Sequence, residues 1–173
     1  VRILASGHGV QRIAGRTATR QNRRTCRARV NVFADKVRGG SERSPLGIFP
    51  IIDENEIRLP FGEKYGDLDT LILKLAEVTH CPNITITLGQ KGGVFYTDET
   101  FHRAPALATS VVDSVGAGDA VLSVSSLCAY KGCPPELLPY IGNCVGALAV
   151  QILGNERPVN KVELSKMISH MLK

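Results

Sequence analysis

Tryptophan is missing from this chain, and aromatic residues make up only 5% of it. A core must therefore be assembled from Leu, Ile, Val and Ala. No apolar run reaches the length needed to cross a bilayer, and the first residues lack the charged-then-apolar pattern of a secretory leader. The five cysteines, Cys26, Cys81, Cys128, Cys133 and Cys144, are odd in number and never spaced as CxxC. That argues against a zinc site or a disulfide framework, and for reduced thiols in a cytosolic setting with no membrane partner. What is present is 173 residues at 43% hydrophobic content, enough for one ordinary domain and too little for two.

Acidic residues are scarce only at the front. Residues 1–46 hold eleven Lys and Arg against two acids, whereas residues 47–173 hold ten against fourteen. The net charge of +5 thus describes an acidic domain behind a basic segment. That segment has no sustained helical or strand period. It can be read as a phosphate-binding nucleic-acid arm, as an Arg-rich transit segment, or as sequence that is not native to the domain. The last reading is preferred and nucleic-acid binding disfavoured, so residues 1–46 are expected to be disordered or non-native.

From about Leu46 a regular alternation begins. "GIFPIIDENEIRL" predicts a short buried strand ending near Asp53, then an acidic turn into a helix. "LDTLILKLAEVTH" places Leu68, Leu71, Ile72, Leu75 and Ala76 on one helical face. "NITITLG" and "GGVFYT" predict strands separated by a glycine turn, and "FHRAPALATSVVD" predicts two further extended pieces. Helices are expected over "GDAVLSVSSLCAYKG", "PELLPYIGNCVGALAVQILG" and "NKVELSKMISHMLK". Strands alternating with helices indicate a layered α/β domain.

The chemistry concentrates in "VVDSVGAGDAV", residues 111–121. A β-branched run enters glycines and then a helix, whose first N–H groups and positive dipole end suit a phosphate. Gly116, Ala117 and Gly118 carry almost no side chain, so backbone can approach an anion closely. A carboxylate there, Asp119, repels a phosphate and makes sense mainly as a proton acceptor. Donors for a transferred phosphoryl group beside a base for a hydroxyl is what phosphoryl transfer to an alcohol needs. A plain helix start with Asp119 in its first turn is the alternative. A dinucleotide fingerprint fails because Val121 stands at its third small position, and neither "GQKGG" nor "GAGDA" is a Walker A loop. His8, His80, His102 and His170 have no metal-ligand spacing and read as surface residues.

"DSVGAGD" resembles the DTxGAGD signature of the ribokinase-like (PfkB) sugar kinases, with Ser114 in place of Thr. "ITLGQKGGVFY" is similar to the family's nucleotide-binding strand-turn-strand. "DENE" is similar to its NxxE element, with Asp53 where Asn is commoner, and "GNCVGALAV" resembles the helix beside the adenine pocket. The four elements occur in the family's order from roughly Gly47 onward. The resemblance implies a ribokinase-like α/β/α domain over residues 47–173, present as its C-terminal, nucleotide-binding half. It implies ATP and Mg²⁺ as cofactors, with a monovalent cation such as potassium in some members, and a sugar or sugar phosphate as acceptor.

By position, the resemblance makes Asp119 the catalytic base and Gly116, Ala117 and Gly118 the anion hole. It assigns Thr87, Gly89, Gly92 and Asn143 to the nucleotide. Glu56 and Asp53 fall in the magnesium network, and Asp113 falls at a monovalent-cation position or serves as a strand-end cap. Thr87 and Asn143 can equally be plain strand and helix polar residues. The wording "IDENEIRL…KYGDLDTLILKLA" and "YIGNCVGALAVQILGN" most resembles heptose-phosphate kinase domains of ADP-heptose synthase-like bifunctional proteins, which puts heptose 7-phosphate among the acceptors. Ribose, nucleosides and fructose phosphates are the alternatives. The sugar-contacting glycine and asparagine elements of the family's N-terminal half are not recognisable in residues 1–46. The chain alone is accordingly expected to be inactive, lacking that half as a partner, and the intact protein has room to be a homodimer.

Overall fold

Asp53 closes one element and opens the next. In the computed structural model, which describes residues 50–171, β1 (Ile51–Asp53) passes straight into α1 (Glu54–Phe61). Asp53 Oδ1 accepts the Asn55 and Glu56 backbone N–H groups at 2.7 and 2.9 Å. Glu56 Oε2 returns the favour, accepting the Asp53 N–H at 3.2 Å. This reciprocal capping box satisfies donors that a first helical turn leaves over. α2 (Leu68–Thr79) begins at Asp67, whose carboxylate accepts the Thr70 N–H at 2.9 Å. Its Leu71, Ile72 and Leu75 are fully buried, with Leu68 and Ala76 packed beside them on the face that the periodicity predicts.

A meander follows: β2 (Ile84–Thr87), β3 (Gly93–Thr97) and β4 (Thr100–Ala104). The sheet order is β1-β2-β3-β4, with β1 parallel to β2 and the other pairs antiparallel. A parallel pair needs a crossover, and α1 with α2 supplies it. Ile52, Ile84, Ile86, Val94 and Tyr96 turn toward these helices and form one core with Ile57, Leu71, Ile72 and Leu75. Thr85, Phe95 and Thr97 alternate with them, and they too are buried.

Over the rest of the sheet lie α3 (Ala117–Tyr130), packed on β1, and α4 (Leu137–Ala149), packed on β3 and β4. α3 and α4 also pack closely on each other, with little space to spare: a Cβ on Gly142 would stand 3.3 Å from Ser125 Oγ and from Val121 Cγ1. The result is the α/β/α layering that the resemblance implies. α5 (Lys161–Met171) lies against α4 with none of its residues buried. Among the described residues no helix is long and apolar enough to cross a membrane.

Some expectations need correction. The second extended piece after His102 is not a strand: beyond Ala104 the chain is irregular up to α3, because Pro105 cannot donate to a ladder and Val111 and Val112 stay exposed. α3 stops at Tyr130, before Gly132, and α4 stops at Ala149 where a run to Gly154 was expected. Gly132 takes positive φ just past α3, and Ile152 is extended, with φ −100 and ψ 114, before Gly154 is reached, which breaks each helical path. The expectation for residues 1–46 lies outside the described residues.

Candidate active site

Positions far apart in sequence meet along the last row of the sheet. Asp53 is in register with Thr87, Thr87 with Gly93, and Gly93 with Ala104. In open α/β sheets the crevice beyond the carboxyl ends of strands is the usual ligand site, and β1, β2 and β4 all end on this row. Between β2 and β3 the chain turns tightly. The Leu88 N–H donates to the Gly92 carbonyl at 2.8 Å, and the Gly92 N–H to the Gly89 carbonyl at 3.1 Å. Gly89 has φ +57 and open space around it, whereas Gly92 has φ +100 and faces β4, where a Cβ would fall 2.1 Å from the Ala104 carbonyl oxygen.

Asn143, on α4, reaches the same place. Its Nδ2 donates to the Ala104 and Pro105 carbonyls, both at 2.8 Å, and its Oδ1 faces Gly93. Both amide protons are thus committed to the end of β4, and Oδ1 is left to accept. Thr87, Gly89, Gly92 and Asn143 therefore gather at one end of the sheet, although Gly92 and Asn143 also hold that end together.

The acids of "DENE" divide their duties. Asp53 and Glu56 complete the capping box described above. Glu54 pairs with Arg58 Nη2 at 2.8 Å and with Lys91 Nζ at 3.4 Å. The Arg58 hydrogen bond holds the Glu54 carboxyl below its ordinary value, against an opposing cost of burial and with further help from Lys91. Lys91 escaped the sequence reading. Its place inside the glycine turn "GQKGG" was the available signal, and it sets an exposed cation near the sheet end. No group of three or more His, Cys, Asp or Glu is arranged as a metal cage among the described residues. Magnesium does not require one, since one or two carboxylates plus substrate phosphates are its usual partners. The oxygen donors Asp53 and Glu56, adjacent at a helix start, fit that pattern.

The glycine turn leads into α3. Gly116 is its N-cap, at φ +77 and with no side-chain cap. The Ala117 N–H reaches the Ser114 carbonyl at 3.3 Å, and the Ala120 N–H begins the helical ladder on Gly116 at 3.0 Å. No acceptor among the described residues takes the Gly118 or Asp119 N–H. A Cβ on Gly118 would meet nothing within 4 Å, so the turn is open in front. Asp119 is exposed, and among the described residues no donor hydrogen-bonds its carboxylate.

Asp113 anchors the turn. Its Oδ1 accepts the Val115 N–H and its Oδ2 the Gly154 N–H, each at 2.9 Å. Its own N–H donates to the Val150 carbonyl at 3.0 Å. The bond from Val115, then that from Gly154, hold the Asp113 carboxyl below its ordinary value. The segment after α4 thus braces the glycine turn. The sequence reading missed this, although a glycine just past a helix, in "QILGN", was a hint. Of the histidines, His80 and His170 are exposed as expected, whereas His102 is half-buried with its ring stacked on Phe95 at 6.3 Å. His8 lies outside the described residues.

The profile of the pfkB family carbohydrate kinases matches residues 49–161. The chain belongs to this family. Over 135 residues it is 40% identical to the Bifunctional protein HldE of Koribacter versatilis, an alignment covering 78% of this chain and 26% of that protein. The Arabidopsis thaliana ribokinase complexed with ribose and ATP superposes with a TM-score of 0.61 at 21% identity, over 70% of this chain and 41% of that one. Phosphofructokinase-2 of Escherichia coli in complex with potassium superposes with a TM-score of 0.63 at 15% identity, over 71% and 40%. These likenesses show the ribokinase-like fold. The chain spans about a quarter of the curated relative and about two fifths of the solved kinases. Within this pfkB segment, the strand-turn-strand, the "DENE" helix start and Asn143 lie at one sheet end, and the "GAGD" turn opens a helix packed on β1.

Proposed function

We propose that the chain is the nucleotide-binding, C-terminal part of an enzyme that transfers the γ-phosphoryl group of ATP to a hydroxyl of a sugar or sugar phosphate. The observation that carries this reading is the turn before α3. Among the described residues, two backbone N–H groups without acceptors stand beside an exposed carboxylate that no donor engages. Gly116, Ala117 and Gly118 cradle the transferred group through their backbone. Asp119 takes the acceptor hydroxyl proton as the new O–P bond forms and the bond to the β-phosphate oxygen breaks, releasing ADP.

Thr87, Gly89 and Gly92 border the nucleotide, and Asn143 offers Oδ1 to an amino group of the base. Asp53 and Glu56 are the residues that would order Mg²⁺, which neutralises charge between phosphates. The Asp113 turn, braced on Val150 and Gly154, is the place for a monovalent cation, and the phosphofructokinase-2 neighbour is a kinase of this fold in complex with potassium. Heptose 7-phosphate is the preferred acceptor, on the 40% identity to HldE and the wording of the segments that match heptose-phosphate kinases. The setting is cytoplasmic, in keeping with free thiols at Cys128, Cys133 and Cys144.

Alone, the chain should bind ATP weakly and release no ADP in response to sugars, because no recognisable element holds an acceptor against Asp119. Positioning is worth roughly 7–11 kcal/mol in favourable cases. Among the described residues β1 has one strand neighbour, which leaves a side where a further part of the sheet could pair. The test follows ADP release with Mg²⁺ and a panel of sugars and sugar phosphates, in this chain and in a complete enzyme carrying it. In the complete enzyme Asp119→Asn should lower turnover by about 10²–10⁴ while ATP binds no worse. Near-normal turnover in that variant would reduce Asp119 to a helix-start residue. Sugar-dependent turnover by this chain, lost in the variant, would refute the need for a further part.

A further inference from the structure

At the end remote from Asp119, α3 closes in a Schellman motif. Gly132, at φ +73, donates its N–H to the Ala129 carbonyl at 3.0 Å, and the Cys133 N–H reaches back to the Cys128 carbonyl, also at 3.0 Å. In this motif the residue after the left-handed glycine folds over the residue two before the last helical one, and their side chains commonly meet in an apolar contact. Here both positions are cysteine. Cys128 and Cys133 are free thiols and half-buried, whereas Cys81 and Cys144 are buried.

The exit from the motif is stiff. Pro134 and Pro135 follow at once, each with a fixed φ, and their carbonyls accept the Leu137 and Leu138 N–H groups at 3.0 and 3.2 Å. Cys133 is therefore held between a closed cap and the start of α4. A disulfide spans Cα atoms about 4.4–6.8 Å apart. The back bond from the Cys133 N–H to the Cys128 carbonyl brings the backbones of the two residues into direct contact.

We propose that Cys128 and Cys133 form a reversible intramolecular disulfide that covalently closes the turn between α3 and α4. Hydrogen peroxide is the oxidant class that suffices. One thiol, as thiolate, attacks a peroxide oxygen and becomes a sulfenic acid as the O–O bond breaks and water leaves. The second thiol attacks the sulfenic sulfur, the S–S bond forms, and a second water leaves. Two electrons and two protons pass from the thiols to the peroxide. Burial pushes both thiols above their ordinary values, and the Cys128 thiol and the Glu136 carboxylate push Cys133 further. The couple is thus slow to oxidise at neutral pH, because the thiolate is the nucleophile. It needs sustained peroxide rather than a brief pulse.

The test exposes the 173-residue chain to hydrogen peroxide, blocks remaining thiols, and digests it without reduction using trypsin and a glutamyl endopeptidase. Cleavage after Arg103, Lys131, Glu136 and Glu156 separates Cys128 (residues 104–131), Cys133 (132–136) and Cys144 (137–156). The expected product is 104–131 joined to 132–136 within one chain, two hydrogens lighter than the free pair and split by a dithiol. Free thiols should fall by two in the unmodified protein, and this loss should vanish in both Cys128→Ser and Cys133→Ser. Separate sulfinic acids on the two peptides, a link from 104–131 to 137–156, or a link only between chains would each overturn the proposal.

Discussion

Replacing Gly92 with alanine should damage this protein well beyond the usual Gly→Ala effect. Gly92 sits at φ +100, and an added Cβ would lie 2.1 Å from the Ala104 carbonyl oxygen and 2.7 Å from the Pro105 carbonyl carbon. Those are backbone atoms at the end of β4, and they cannot swing aside as a side-chain tip can. The positive φ costs an L-residue about 1–2 kcal/mol. Forcing the strand end away adds about 1–3 kcal/mol, by analogy with overpacked cores. Together these make about 2–5 kcal/mol, a large share of the roughly 5–15 kcal/mol that holds a domain folded. At about 4 °C per kcal/mol for a domain of this size, the melting midpoint should fall by about 8–20 °C. Gly89 is the internal control. It also has positive φ, at +57, but a Cβ there meets nothing within 4 Å. Gly89→Ala should therefore show only the conformational cost, about 1–2 kcal/mol. Thermal unfolding followed by far-ultraviolet circular dichroism compares the two directly. Equal midpoints for the two variants would refute the steric argument, and with it the claim that the hairpin turn is pressed against β4.

Two further outcomes follow from the hydrogen-bond pattern. Glu54 has its folded pKa depressed by Arg58 and then Lys91, so its pairing stabilises the protein above the ordinary glutamate value and is lost as pH falls through the folded one. Urea midpoints of the native chain and of Glu54→Gln should thus converge on acidification, and a constant gap would remove the pairing as the cause. Asn143→Ala should cost about 1–3 kcal/mol, mainly by stranding the carbonyl of the buried Ala104. Asn143→Asp, which sets a carboxylate against both carbonyls, should unfold at still lower denaturant; an aspartate variant as stable as the native chain would show that these bonds carry no weight.

What was legible in the sequence was whatever a local period or a single residue type decides. Leu71, Ile72 and Leu75 repeat at helical spacing, and they are buried as a set. The glycines at 89, 92 and 116 mark turns because positive φ excludes most other residues. The "GAGD" turn was placed at the start of a helix for the same reason. Illegible were the features settled by a distant partner. Asp113 and Gly154 are separated by 41 positions, and nothing near either one announces the hydrogen bond between them. Val111 and Val112 have strand-like side chains, but the Val112 and Asp113 N–H groups both donate to the Val150 carbonyl, and among the described residues no strand lies beside them. Asp53 and Glu56 illustrate a third case, in which one spacing serves two ends. The spacing that resembles a magnesium element is also the spacing of a capping box, and only coordinates reveal that the box is formed.

The row Asp53–Thr87–Gly93–Ala104 makes the sheet's apolar alternation a ruler for the site. Ile84 and Ile86 face one helical layer while Thr85 and Thr87 face the other, and Val94 and Tyr96 alternate with Gly93 and Phe95 in the same way. A slip of β2 or β3 by one residue would turn the isoleucines or the valine out of the core. The same slip would carry Thr87 or Gly93 one position off the row. A one-residue misalignment of the candidate site therefore cannot occur quietly, because it also forfeits core burial. Accuracy at the strand ends is enforced by residues buried in the core, and a substitution that loosens Ile84 or Ile86 would blur the position of Thr87 without touching it.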